Sequence, residues 1–146
     1  MKQLPVGAIA PSFELQTLDG RRFQLDEALS AGPLVLAFFK ISCPTCQFVF
    51  PYLERIHSQQ SSATPQIIAV SQDEAPETRG FMSKFGLHFD SLIDDHPYPV
   101  SAMFNLEYVP AIFVLRAGRE IVHSDYGFSK ATLNEIAKGK IGRAHV

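Results

Sequence analysis

The sequence predicts an α/β domain of three layers, with a mixed central sheet covered by helices on both faces. Three observations carry that reading. Apolar strand segments alternate with helical patterns through the middle of the chain, hairpin patterns flank it at both ends, and 146 residues suffice for one core but are short for two. No internal repeat, low-complexity run or linker interrupts it, so residues 1–146 read as a single domain.

From Ser12 to Leu25 apolar and polar residues alternate, with Phe13, Leu15, Phe23 and Leu25 on one side. Asp19-Gly20 sits at the reversal, a pair that tolerates positive φ, which predicts an N-terminal β-hairpin. Asp26 is the expected cap of a short helix that Gly32 and Pro33 stop. Leu34 to Phe39 is continuously apolar and reads as a buried strand. The helix after Cys43 places Phe48, Val49, Tyr52, Leu53 and Ile56 on one stripe, and Pro51 should kink it. A polar connection follows from Gln59 to Pro65, then a second buried strand from Gln66 to Ser71.

Asp73, with Pro76 and Glu77 behind it, is a helix start, Phe81, Met82 and Phe85 supply the core face, and Gly86 ends the helix. Phe89 to Ile93 is a short strand, followed by the loop Asp94-Asp95-His96-Pro97 and a helical stretch ending near Leu106. Ala111 to Arg116, the turn at Ala117-Gly118 and Glu120 to Ser124 form a second hairpin. Ser129 caps the last helix, with Leu133, Ile136 and Ala137 facing inward.

Composition narrows the function classes. Charged residues make up 19% and hydrophobic residues 46% of the chain, as in ordinary globular proteins. A net charge of -2 without a basic run gives no electrostatic basis for nucleic-acid or anionic-lipid partners. Met1-Lys2-Gln3-Leu4 leads at once into Pro5, Gly7 and Pro11, and no segment approaches membrane-spanning length. The expectation is a cytoplasmic protein, the alternative being an extracytoplasmic domain cut from its anchor.

The stretch that carries chemistry is PLVLAFFKISCPTCQFVFP, residues 33–51. Cys43 and Cys46 are the two cysteines of the chain, and Cys43-Pro44-Thr45-Cys46 opens a helix directly after the buried strand. The leading sulfur of such a motif meets unpaired backbone N–H groups and the positive end of the helix dipole. Pro44 suits the first turn because its missing N–H would have had no partner there. Two cysteines at this spacing, without a secretory segment, favour a catalytic dithiol over a structural disulfide.

These residues resemble a known family. The motif after a buried strand, Pro51 in the helix, and Val109-Pro110 leading into the strand from Ala111 resemble the thioredoxin superfamily. Ala10-Pro11-Ser12-Phe13-Glu14-Leu15 with Asp19-Gly20, and Val70-Ser71-Gln72-Asp73, resemble its redoxin branch, which holds AhpC/TSA peroxiredoxins and TlpA-like thiol-disulfide oxidoreductases. The resemblance implies a thioredoxin-like fold with Cys43 attacking and Cys46 resolving. It further implies a cis Pro110 beside the sulfurs, with Pro44, Thr45 and the Val109 backbone meeting an extended substrate. The implied partners are a protein disulfide and an upstream reductant, and the exchange needs no cofactor.

Three positions depart from the family pattern. A buried acid six residues before the first cysteine is Ala37 here, an acid three residues after the second is Val49, and the tryptophan before the motif is Ser42. The proton acceptor for Cys46 is therefore left unassigned. Peroxide reduction through Cys43 is the alternative function. The peroxidatic motif, however, carries a threonine where this chain has Lys40, and an arginine where it has Pro110. Lys40 reads either as an exposed charge at the strand end or as a cation that favours the Cys43 thiolate.

A non-catalytic zinc module is the third reading, and it would need two of His57, His88, His96, His123 and His145 to join the cysteines. None of these histidines shows paired ligand spacing. His57 reads as a helix-surface residue, Asp94-Asp95 as a solvated turn and most phenylalanines as core, while one of Phe48 and Phe50 should border the active surface.

Overall fold

A computed structural model describes residues 2–59, 61 and 64–139. The strands are β1 (Glu14–Thr17), β2 (Arg22–Gln24), β3 (Leu34–Phe39), β4 (Gln66–Ser71), β5 (Asp90–Ile93), β6 (Ala111–Arg116) and β7 (Glu120–Tyr126). The helices are α1 (Leu25–Ser30), α2 (Pro44–Ser58), α3 (Ala75–Lys84), α4 (Pro99–Met103) and α5 (Lys130–Ala137). One seven-stranded sheet has the order β2-β1-β5-β4-β3-β6-β7. β3, β4 and β5 run parallel, and the outer strands pair antiparallel. This is the expected mixed sheet. No helix among the described residues is long and apolar enough to cross a membrane.

β3 lies inside the sheet because every one of its side chains has somewhere apolar to go. Val35, Ala37 and Phe39 face one layer, packed with Val49, Phe50 and Leu53 of α2 and Phe81 and Met82 of α3. Leu34, Leu36 and Phe38 face the other, packed with Leu25 and Leu29 of α1 and with Phe104 after α4. All six are 0% exposed, and a fully buried large apolar side chain contributes about 1.5–3 kcal/mol. The strand is thus fixed from both faces and by both neighbours, and the residue that leaves its end is held accordingly.

The N-terminal hairpin forms as expected, with Glu14 to Gln16 opposite Gln24 to Arg22 and Gly20 at φ +83° in the turn. Several boundaries differ. The cap of α1 is Gln24, whose side chain accepts the Glu27 N–H at 2.9 Å. Asp26 lies one position inside the helix and instead pairs with Arg119 at 3.1 Å and accepts the Ser12 hydroxyl at 2.9 Å. α2 runs as one helix through Pro51, carried by the burial of Phe50 and Leu53 on either side of it. Its buried face uses Phe50, whereas Phe48 is 54% exposed.

In α5 Thr132 joins Leu133 and Ile136 inside, and Ala137 is exposed. The connection 59–65 falls partly outside the described residues. Residues 3–10 run along the outer edge of β7. Gly7 donates to the Ile121 carbonyl at 2.8 Å, Ile121 to Ala8 at 2.9 Å and Ala10 to Arg119 at 2.8 Å, while the Gln3 amide reaches the Asp125 carbonyl at 2.9 Å.

Candidate active site

β3 delivers the chain at Lys40 to a short loop, and α2 begins at Pro44. Cys43 stands at the cap position, with extended backbone at φ −84° and ψ 113°. Its sulfur takes the place of a capping oxygen, accepting the Cys46 N–H at 3.1 Å. The Cys43 thiol also donates to the Val109 carbonyl at 3.6 Å. Ionisation would remove the hydrogen that reaches Val109 and keep the N–H contact, so the site retains a donor for the thiolate. Cys43 is half-buried, with Pro44 and Thr45 exposed beside it.

Cys46 lies one turn further on, facing inward and 0% exposed. Burial, and then the contact with the Cys43 side chain, push its thiol far above the ordinary thiol range. Backbone hydrogen bonding, at Lys40 first, offsets only part of that rise. Position 37 is a buried alanine in register with Ala69 on β4 and Ile112 on β6, and Val49 is buried on α2. The two places where an acid was absent from the sequence are filled by apolar side chains in the same cluster as Cys46.

The loop before Cys43 is clamped from two sides, by Asp73 and Gln47, a role that sequence patterns did not assign to either residue. The Ile41 N–H donates to the Asp73 carboxylate at 2.8 Å, and the Ile41 carbonyl accepts from the Gln47 amide at 2.9 Å. Asp73 was expected to cap α3. Glu74 holds that position instead, without a side-chain cap bond, which leaves the Asp73 carboxylate for the loop.

Val109 and Pro110 lie across from the motif, and their peptide bond is cis. Lys40 is exposed and, among the described residues, makes no ion pair. Phe48 packs edge-on to Phe128 at 5.0 Å and to Tyr52 at 5.6 Å, forming an aromatic rim on α2, while Phe50 belongs to the core.

The remaining candidates fall elsewhere. Asp94 is 0% exposed, and its carboxylate accepts the Val100 N–H, the Ser101 N–H and the Ser101 hydroxyl at 3.1, 2.8 and 2.8 Å. A solvated turn was expected there, and only Asp95 is exposed. His57 is partly buried against Phe89, with Nδ1 enclosed and unpartnered, rather than on the surface. Among the described residues, no three His, Cys, Asp or Glu side chains converge as a metal site would require, and His145 lies outside them.

The model of the AhpC/TSA family matches residues 6–124. The thiol-disulfide oxidoreductase ResA of Halalkalibacterium halodurans is 28% identical over 117 residues, which cover 80% of this chain and 65% of that protein. The chain therefore spans a little under two thirds of the length of that curated relative. Among solved structures, the thioredoxin domain of a thiol-disulfide oxidoreductase from Bacteroides vulgatus superposes with a TM-score of 0.80 at 18% identity, covering 92% of this chain and 97% of that one. The peroxidoxin BcpB of Mycobacterium tuberculosis superposes with a TM-score of 0.77 at 20% identity, covering 92% and 94%. At such identities the superpositions establish the thioredoxin-like fold, and proteins named for two different reactions share it.

Proposed function

The chain belongs to the AhpC/TSA family, and from that premise we propose that it is a thiol-disulfide oxidoreductase acting on protein disulfides through Cys43 and Cys46. The observation that carries this reading is the asymmetry of the two sulfurs. Cys43 is half-exposed at the helix cap with its sulfur on the Cys46 N–H, and Cys46 is enclosed and holds its proton. One thiol is placed to meet a partner and the other to wait.

The reaction proceeds in two balanced steps. The Cys43 thiolate attacks one sulfur of a substrate disulfide, forming the Cys43–substrate bond and releasing the second substrate sulfur as a thiolate that takes up a proton. Cys46 then loses its proton and attacks the Cys43 sulfur, forming the Cys43–Cys46 bond, breaking the Cys43–substrate bond and releasing the substrate's first sulfur as a thiolate that takes up a proton in its turn. Two electrons and two protons pass to the substrate, and an external dithiol reverses the oxidation of the pair. Val109 offers main-chain pairing beside the reacting sulfur, Pro110 fixes that segment, and Pro44 and Thr45 present the exposed first turn to the partner.

Peroxide reduction has less support, because its hydroxyl and guanidinium positions hold Lys40 and Pro110. Parallel assays on the fully reduced protein test the choice. Rapid reduction of insulin with slow consumption of hydrogen peroxide is expected, and the reverse result would overturn the assignment.

A further inference from the structure

A cleft of about 340 Å³ opens beside the Val109 segment. Val109, whose carbonyl lies 3.6 Å from Cys43 Sγ, forms one wall, and Lys40, Gln72, Tyr98, Ser101 and Glu107 contribute to the rest. We propose that this cleft is a carboxylate-recognising subsite, which selects disulfides bearing an acidic group next to the sulfur that Cys43 attacks. The proposal rests on the disulfide-exchange reading and names the substrate chemistry that the same site prefers.

The polar floor is built from the protein interior outward. The buried Asp94 carboxylate takes the Ser101 hydroxyl hydrogen at 2.8 Å, which leaves the Ser101 oxygen as an acceptor. The Gln72 side-chain amide donates to that oxygen at 2.9 Å, and the Gln72 backbone N–H is engaged by the Phe39 carbonyl. The amide is thereby fixed in orientation, and among the described residues its second N–H and its oxygen are left over for a ligand. A buried carboxylate that orients a neutral donor through a hydroxyl presents hydrogen-bond donors to the cleft without exposing its own negative charge.

Tyr98 is held in left-handed backbone at φ 60° and ψ 55°, costly for a residue with a side chain, and its N–H and carbonyl are both bonded, to Asp95 and Ala102. The wall it forms is determined by its surroundings. The charges are Lys40, which has no anionic partner among the described residues, and Glu107, exposed at the rim. A mixed disulfide on Cys43 puts the substrate sulfur about 2 Å from Cys43 Sγ, itself 3.6 Å from the Val109 carbonyl, so the residue flanking the substrate cysteine comes within reach of the mouth of the cleft. An ammonium group and an oriented amide donor there suit a carboxylate. Glu107 opposes it.

The test uses the reduced full chain and three disulfide-bonded peptides that differ only in having Glu, Gln or Lys beside the cysteine. The expected order of second-order rate constants at low ionic strength is Glu, then Gln, then Lys, with Glu exceeding Gln about three- to fivefold, the scale of a solvent-exposed ion pair. Added salt should compress the ratio. Lys40→Met should bring the Glu-to-Gln ratio to about one, and Glu107→Gln should raise it. A Lys40→Met variant that slows all three peptides by one common factor would show that Lys40 acts on the thiol alone and would overturn the proposal.

Glutathione disulfide separates the sources of the carboxylate. If Lys40→Met lowers its rate as well as the Glu peptide's, small acidic disulfides use the cleft. If only the peptide ratio falls, the cleft reads acidic side chains of proteins. Failure to reduce any of these disulfides would remove the exchange reading, and the subsite with it. Reduction of all three peptides at equal rates would remove the subsite alone.

Discussion

The Asp73 carboxylate accepts the Ile41 N–H at 2.8 Å, so the end of β4 holds the loop that places Cys43. The contact joins residues 32 positions apart and is charge-assisted. Asp73→Ala should lose about 1.5–3 kcal/mol, the scale of a hydrogen bond to a charged group, read as a lower urea midpoint. It should also slow attack by Cys43 severalfold as the loop loosens. Asp73→Asn keeps an acceptor oxygen and should recover most of both. Equal losses in the two variants would mean that the charge matters and the clamp does not.

The unequal burial of the sulfurs gives the two cysteine variants different phenotypes. Cys43→Ser should abolish exchange, while Cys46→Ser should attack once and accumulate a mixed disulfide, visible as a mass increase that dithiothreitol removes. Normal multiple turnover by Cys46→Ser would invert the assigned roles.

Cys46 also ties stability to pH in the reduced protein. Its folded-state thiol is raised, so above the ordinary thiol value of about 8.5 the unfolded chain releases a proton that the folded chain keeps. The unfolded state then binds fewer protons, and stability falls with rising pH by about 1.4 kcal/mol per unit. The contribution is complete below that pH and is lost as the pH climbs toward the folded value. Urea unfolding of reduced protein at pH 7, 8, 9 and 10, beside Cys46→Ala, should show a steeper alkaline decline in the parent chain. Parallel declines would contradict the raised thiol.

Asp94 satisfies three donors from a fully buried position. Asp94→Ala would strand the Val100 and Ser101 donors in the interior, at a cost of about 1–3 kcal/mol for each group left unsatisfied. The lost stability should be accompanied by a lower Glu-to-Gln preference in the peptide assay, because Gln72 is positioned through Ser101. Asp95→Ala, at an exposed position, should leave stability within about 0.5 kcal/mol of the parent.

Much of the layout was legible in the chain because period and punctuation agree. Leu34 to Phe39 is apolar at every position and is buried at every position, and Asp19-Gly20 turns the first hairpin. Three of the misreadings share one cause. Asp26, Asp73 and Asp94 are each a short acid next to a helix start, where local pattern proposes a cap or a turn. Their actual partners, Arg119, Ile41 and Ser101, are 93, 32 and 7 residues away in sequence. Which nearby group an aspartate serves is settled by tertiary packing, on which local sequence is silent. Phe48 and Phe50 show the same limit, since both suit a helix stripe and the sheet behind α2 has room for one.

The segment from Gln3 to Ala10 along β7 has a consequence for how a polypeptide can approach. β7 is the sheet edge nearer to β3, and its outward hydrogen-bonding groups at Ile121 and Asp125 are already taken by the chain's own beginning. The opposite edge is β2, three residues long and separated from β3 by three strands. A partner therefore gains little by joining as an eighth strand. An extended partner segment would have to cross the ends of the strands, over the loops at Val109 and Cys43, where main-chain pairing is confined to the Val109 segment and the side chains beside its cysteine add to the fit.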